Sequence, residues 1–172
     1  ECADLIRFNR IIAFQASCGE YDSCMNILDK IRKARLNPDA NSYNPLISFL
    51  FKNNKAQEAL LLLKEMQQAE IPSDINTCNI LMKFFMENKD LEAAKTLWEE
   101  MRGLAILPNI QIYNALMTLY VKLKNLNGGK ALLVEMRLAG IQPNISTYFL
   151  LIQLYPNPLD LLKERELGIE PD

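Results

Sequence analysis

The chain has no histidine among its 172 residues. That removes the Ser-His-Asp and Cys-His catalytic arrangements and the commonest general base near neutral pH. The four cysteines, Cys2, Cys18, Cys24 and Cys78, contain no C-x-x-C pair, so an all-cysteine zinc site has no support. Nothing resembles the compact framework of a disulfide-rich secreted domain, and the thiols read as reduced packing residues. Six glycines and eight prolines are too few for a collagenous or low-complexity chain. No apolar run reaches the roughly 20 residues that span a bilayer, which excludes membrane insertion by a helix. Neither charge sign dominates: 19 Lys and Arg stand against 21 Asp and Glu, so no global basic field gathers nucleic acid. Hydrophobic residues are plentiful at 49%, which excludes a disordered tail.

What the sequence does have is a period of 35 residues. Asn9, Asn44, Asn79 and Asn114 are evenly spaced at that interval. Ile31, Met66, Met101 and Met136 share it, as do Leu36, Ile71, Ile106 and Ile141. Each copy closes on Asp39, Asp74, Asn109 or Asn144, with Pro38, Pro108 and Pro143 just before in three of them. The copies run 5–39, 40–74, 75–109 and 110–144. A partial fifth, 145–172, loses about two helical turns around Tyr155-Pro156-Asn157-Pro158. Glu1 opens the chain without a recognisable presequence, and Asp172 falls where a copy would close, so the chain reads as a segment of a longer array.

Within a copy the apolar spacing is helical. Tyr43, Leu46, Ile47 and Leu50 form one face; after the polar break Asn53-Asn54-Lys55, residues Ala59, Leu62, Leu63 and Met66 form another. Two helices joined by so short a break make an antiparallel hairpin. Cys24, Ala59, Ala94 and Gly129 share a slot that suits close helix crossing. A lone hairpin cannot bury both apolar faces, so neighbours must stack. The expected fold class is all-α, an α-solenoid of antiparallel helix-turn-helix repeats occupying the whole chain.

Tyr43-Asn44, Leu46-Ile47, Glu58-Ala59-Leu60 and Glu65-Met66, set in a 35-residue hairpin, resemble the pentatricopeptide repeat. The resemblance covers 5–144 well and 145–172 in part. It implies a right-handed superhelix and single-stranded RNA as partner, with one unpaired base addressed per repeat. The reading pairs implied are Asn9 with Asp39, Asn44 with Asp74, Asn79 with Asn109, and Asn114 with Asn144. In the family Asn with Asp favours uracil and Asn with Asn a pyrimidine, so the implied target is U-U-Y-Y. Lys52 and Lys122, late in the first helix of their copies, correspond to lysines that face phosphates. Phe149 replaces the asparagine of the fifth copy; it can stack or pack but cannot read an edge. The resemblance also implies mitochondria or plastids.

Each of these residues has a plainer reading beside the functional one. Asp or Asn before a helix is a favoured N-cap, which alone accounts for Asp39, Asp74, Asn109 and Asn144. The interior asparagines have no evident cap role; if they read bases, Asn44→Ala should relax selectivity and leave melting almost unchanged, and if the slot is structural it should lower stability without a base-specific signature. Asn41, Asn76, Gln111 and Ser146 sit where the family usually has an aliphatic wedge; three of the four are good N-cap types, so capping is the simpler reading. Lys30, Arg32, Lys33 and Arg35 read as complements to the negative end of a helix. An alternative function uses the same solenoid as a protein-interaction scaffold in a large organellar assembly such as a ribosome. No catalysis, cofactor, metal or small-molecule substrate is expected: a zinc deaminase needs His and Cys ligands, and no leftover segment is long enough for another catalytic domain.

Overall fold

The computed structural model describes residues 2–155, and everything after Tyr155 in the shortened fifth copy lies outside them. Among the described residues there are nine α-helices and no strand. They are α1 (Cys2–Cys18), α2 (Tyr21–Lys33), α3 (Ala40–Lys52), α4 (Ala56–Gln68), α5 (Ile75–Asn88), α6 (Leu91–Gly103), α7 (Ile110–Lys122), α8 (Leu126–Leu138) and α9 (Ile145–Leu154). The fold is an all-α helical repeat. Two compact units divide the chain, 1–80 and 81–172, with the boundary inside α5.

In the first unit α1 pairs with α2 and α3 with α4, while α3 also packs on both helices of the preceding hairpin. In the second, α7 pairs with α8 and α9 covers both. The helical faces anticipated from spacing supply this packing. Tyr43, Leu46, Ile47 and Leu50 are buried on α3, and Ala59, Leu62, Leu63 and Met66 on α4. Each large apolar side chain contributes about 1.5–3 kcal/mol of transfer free energy.

The periodic columns have a backbone explanation. After α2, Arg35 takes a left-handed conformation (φ 56°), and the Leu36 N–H reaches back to the Ile31 carbonyl at 3.1 Å. This is a Schellman C-cap, which ties the residue two past the cap to one near the helix end. Ile71 to Met66, Ile106 to Met101 and Ile141 to Met136 repeat the bond at 2.8–3.0 Å, with Glu70, Ala105 and Gly140 left-handed. The turn inside each hairpin uses the same motif through Gly19, Asn54, Lys89 and Lys124. The Ile and Met columns are therefore partners in one cap.

Cys24, Ala59 and Ala94 are fully buried in the small-residue column. At Gly129 the space for a Cβ is already taken by Leu154, with the Met117 sulfur 3.3 Å away. Arg32, in the last turn of α2 as expected, has a further role. Its guanidinium crosses from α2 to the Glu65 carboxylate on α4 and donates to the Tyr43 hydroxyl on α3 at 3.2 Å; that hydroxyl donates to Glu65 at 3.0 Å. Arg32 is a clasp between hairpins, because its planar fork can serve two acceptors at once. In the second unit Arg102 pairs with Glu135 and lies over Trp98, whose ring meets Tyr113 edge-on at 5.1 Å.

Candidate nucleic-acid interface

The closing residues cap the first helix of the next copy. Asp39 accepts the Ser42 N–H at 3.0 Å, Asp74 the Thr77 N–H at 2.8 Å, Asn109 the Ile112 N–H at 3.1 Å and Asn144 the Thr147 N–H at 3.0 Å. Each satisfies a backbone donor that a helix start leaves unpaired. Asn41 and Asn76 are not caps, contrary to the sequence reading, because the cap position lies two residues earlier. They are exposed, and their amides lean on the outer carboxylate oxygens of Asp39 and Asp74 at 3.4 Å.

The interior asparagines reach these same caps. Asn9 Nδ2 donates to Asp39 Oδ1 at 2.9 Å and Asn44 Nδ2 to Asp74 Oδ1 at 3.1 Å, both in the first unit. In the second unit Asn114 Nδ2 donates to Asn144 Oδ1 at 3.4 Å. Asn79 and Asn109 fall in different units; each is half-buried.

The other end of each amide meets a hydroxyl that the sequence reading did not single out. Ser42 Oγ donates to Asn9 Oδ1 at 2.7 Å, Thr77 Oγ1 to Asn44 Oδ1 at 2.8 Å and Thr147 Oγ1 to Asn114 Oδ1 at 2.7 Å. All three hydroxyl residues are fully buried. A Ser or Thr three residues after Asp39, Asp74 and Asn144 was the available signal; Asn109 is followed by Ile112 instead. The interior asparagines are therefore structural as well as candidate reading residues: Asn9 and Asn44 are only 9% and 7% exposed. With Asn44 so buried, Asn44→Ala is expected to lower stability, the outcome of a structural slot.

An open groove of about 420 Å³ runs over this network in the first unit. Asn9, Asp39 and Asn44 line it, flanked by Ile6, Asn41 and Asn76. At Asp74 burial raises the carboxyl pKa, but hydrogen bonds led by that from the Thr77 N–H, with those from Asn44 and Asn76, outweigh it and hold the group below its ordinary 3.8. Lys52 and Lys122 are not among the groove-lining residues. Lys52 is exposed in the last turn of α3, eight residues past Asn44 and so roughly 12 Å along the axis. Lys122 donates to the Met86 carbonyl near the end of α5 at 2.9 Å. Phe149 is 64% exposed rather than packed into the core. No cluster of three metal-ligating side chains occurs among the described residues, and none of their helices is long and apolar enough to cross a membrane.

A family model for the pentatricopeptide repeat domain matches residues 3–53 and 61–123, and a second, for the PPR repeat family, matches 38–83 and 108–155. The chain belongs to the pentatricopeptide repeat family. No curated protein matches it in sequence. Among solved structures, pentatricopeptide repeat protein PPR10, in complex with an 18-nucleotide psaJ RNA element, superposes with TM-score 0.73 at 19% identity. That match covers 98% of this pentatricopeptide repeat chain and 24% of PPR10, so the chain spans about a quarter of that relative. The PPR domain of Arabidopsis thaliana protein-only RNase P 1, in complex with tRNA, gives 0.72 at 13% identity, covering 95% and 90% of the two chains. A. thaliana nuclear proteinaceous RNase P 2 gives 0.67 at 9%, covering 94% and 36%. At these identities the likeness concerns the fold.

Proposed function

We propose that the chain is a sequence-selective module for single-stranded RNA, without catalysis of its own, that addresses about one base per repeat. The observation that carries this reading is the hydrogen-bonded pair at the edge of the groove, Asn9 with Asp39, repeated as Asn44 with Asp74. Asp39 Oδ1 is occupied by the Ser42 N–H and the Asn9 amide, so Oδ2, which the exposed Asn41 amide meets only at 3.4 Å, is its outward acceptor. Asn9 has a second Nδ2 hydrogen beyond the one given to Asp39. Donor beside acceptor complements uracil, whose N3–H lies between two carbonyls.

With asparagine as the closing residue the outward group changes. Asn144 uses Oδ1 for the cap, leaving its NH2 to face outward. Asn114 and Asn144 then offer two donors, which fit the O2 and N3 acceptors of cytosine or a uracil carbonyl. The pairs within each unit therefore read uracil at the first two positions and a pyrimidine at the fourth. Exposed Lys52 serves the backbone; Lys122 serves it with the ammonium hydrogens not given to Met86. PPR10 and the RNase P domain, both solved with RNA, support RNA as the partner class. The same family points to an organellar transcript.

Asp74→Asn tests this without sacrificing the cap, since Asn109 and Asn144 already cap as asparagines. Fluorescent RNAs with UUCC and UCCC cores would be titrated against both proteins. The variant should move the second-position preference from uracil toward cytosine by about tenfold, the size of a rearranged hydrogen-bond pattern. Equal binding of UUCC, UCCC and an AAAA control by the unmodified chain would abandon base reading and favour a scaffold role.

A further inference from the structure

We propose that the buried hydroxyls Ser42, Thr77 and Thr147 are positioning residues for base selectivity, each fixing which end of the preceding copy's asparagine amide is turned outward. The inference rests on the base-reading function above. A carboxamide offers two donors at one end and an acceptor at the other, and a half-turn about its last bond exchanges them. A reading asparagine is selective only while that turn is prevented.

The geometry prevents it from both sides. Thr77 Oγ1 accepts the Asp74 N–H at 3.3 Å, and its single proton is directed to Asn44 Oδ1 at 2.8 Å. Asp74 Oδ1 also lies within reach of that hydroxyl, at 2.9 Å, but already receives the Thr77 N–H and the Asn44 amide. Ser42 repeats the arrangement, accepting the Asp39 N–H at 3.2 Å and donating to Asn9 at 2.7 Å. Thr147 does the same with Asn144 and Asn114, at 3.2 and 2.7 Å. A turned amide would set Nδ2 against the hydroxyl proton and Oδ1 against a carboxylate or a capping carbonyl oxygen. The second contact is repulsive, the first is relieved only by turning the hydroxyl proton onto a cap oxygen that already receives two donors, and burial removes the water that would screen either.

The chain also contains its own exception. Asn79 is the one asparagine of the column with no hydroxyl residue 33 positions on; Ile112 occupies that place. It is also the one whose Oδ1 is buried without a hydrogen-bond partner.

Thr77→Val removes the hydroxyl and keeps the shape. The readout is the ratio of dissociation constants for UCCC and UUCC cores, with CUCC against UUCC as an internal control for the first position. Thr77→Val should reduce the second-position ratio by about fivefold, the value of one ordinary hydrogen bond, and leave the first-position ratio as it was. Thr77→Ser should restore it. Loss of stability alone would lower all affinities together and leave both ratios standing. Should Thr77→Val not fold, Ser42→Ala reports the same effect at the first position. An unmodified chain that does not discriminate UUCC from UCCC overturns base reading itself. A chain that discriminates and keeps its ratio in Thr77→Val overturns the positioning role alone.

Discussion

A single carboxamide carries much of the chemistry, and its surroundings set what happens when it is lost. Asn44 is buried, bonded to Asp74 at one end and Thr77 at the other. Asn44→Ala strands a buried hydroxyl and removes a donor from a carboxylate, at a cost of about 1–3 kcal/mol. Thermal unfolding should show a lower melting temperature, and an unchanged one would mean the network is looser than its distances imply. Asp74 makes a second prediction. Its folded pKa is held below 3.8, so the stability it contributes is complete above 3.8 and is lost as pH falls through the lower folded value. Melting temperatures measured from neutral pH down to about 2.5 should fall at the acid end. Asp74→Asn should flatten that part of the profile, since an asparagine does not titrate.

At the level of the element, the turns are where the chain departs from its easiest backbone. Six non-glycine residues hold left-handed conformations at the two kinds of Schellman turn, Arg35, Asn54, Glu70, Lys89, Ala105 and Lys124. A Cβ in that region costs about 1–2 kcal/mol, part of which glycine returns as lost chain entropy. Ala105→Gly should therefore raise stability by about 0.5–1 kcal/mol, seen as a higher denaturation midpoint with an unchanged slope. These turns were only half legible. The spacing of Met66 and Ile71, or of Met101 and Ile106, announced the repeat, but residues as unlike as Arg35 and Ala105 carry no common turn signal. A left-handed residue other than glycine can be recognised only when the hydrogen bonds that enforce it are known. The second role of Arg32 was hidden for a related reason: a charge in the last turn of a helix suits the helix end, and only packing brought Tyr43 and Glu65 within its reach.

For the whole molecule the balance of charge limits what RNA binding can look like. Four slots at about 1–3 kcal/mol each, set against an association cost of about 4–15 kcal/mol, give weak binding by this chain alone. Lys52 and Lys122 as the backbone cations give a slope of log affinity against log salt of about −1.4. Titrations across a range of salt should return that shallow dependence. A slope several times steeper would mean that other cations carry the backbone and that the two-lysine assignment is wrong.

The sequence by itself determined the period, the helical faces and the family, because each depends on residues related by fixed local spacing. Tyr43, Leu46, Ile47 and Leu50 are buried together since 3.6 residues make a turn wherever the helix is placed. It also nominated Asn9, Asn44, Asp39 and Asp74 as candidates. What only the tertiary structure decided is how those residues are joined. The bond from Asn44 to Asp74 and the one from Thr77 to Asn44 link positions 30 and 33 apart, and they exist because one hairpin packs on the next. A hydroxyl three residues past Asp39, Asp74 and Asn144 looks like ordinary capping until that packing sets it against an asparagine. Local periodicity can specify which side chains are buried, but the direction of a proton inside a buried network depends on every partner that reaches it.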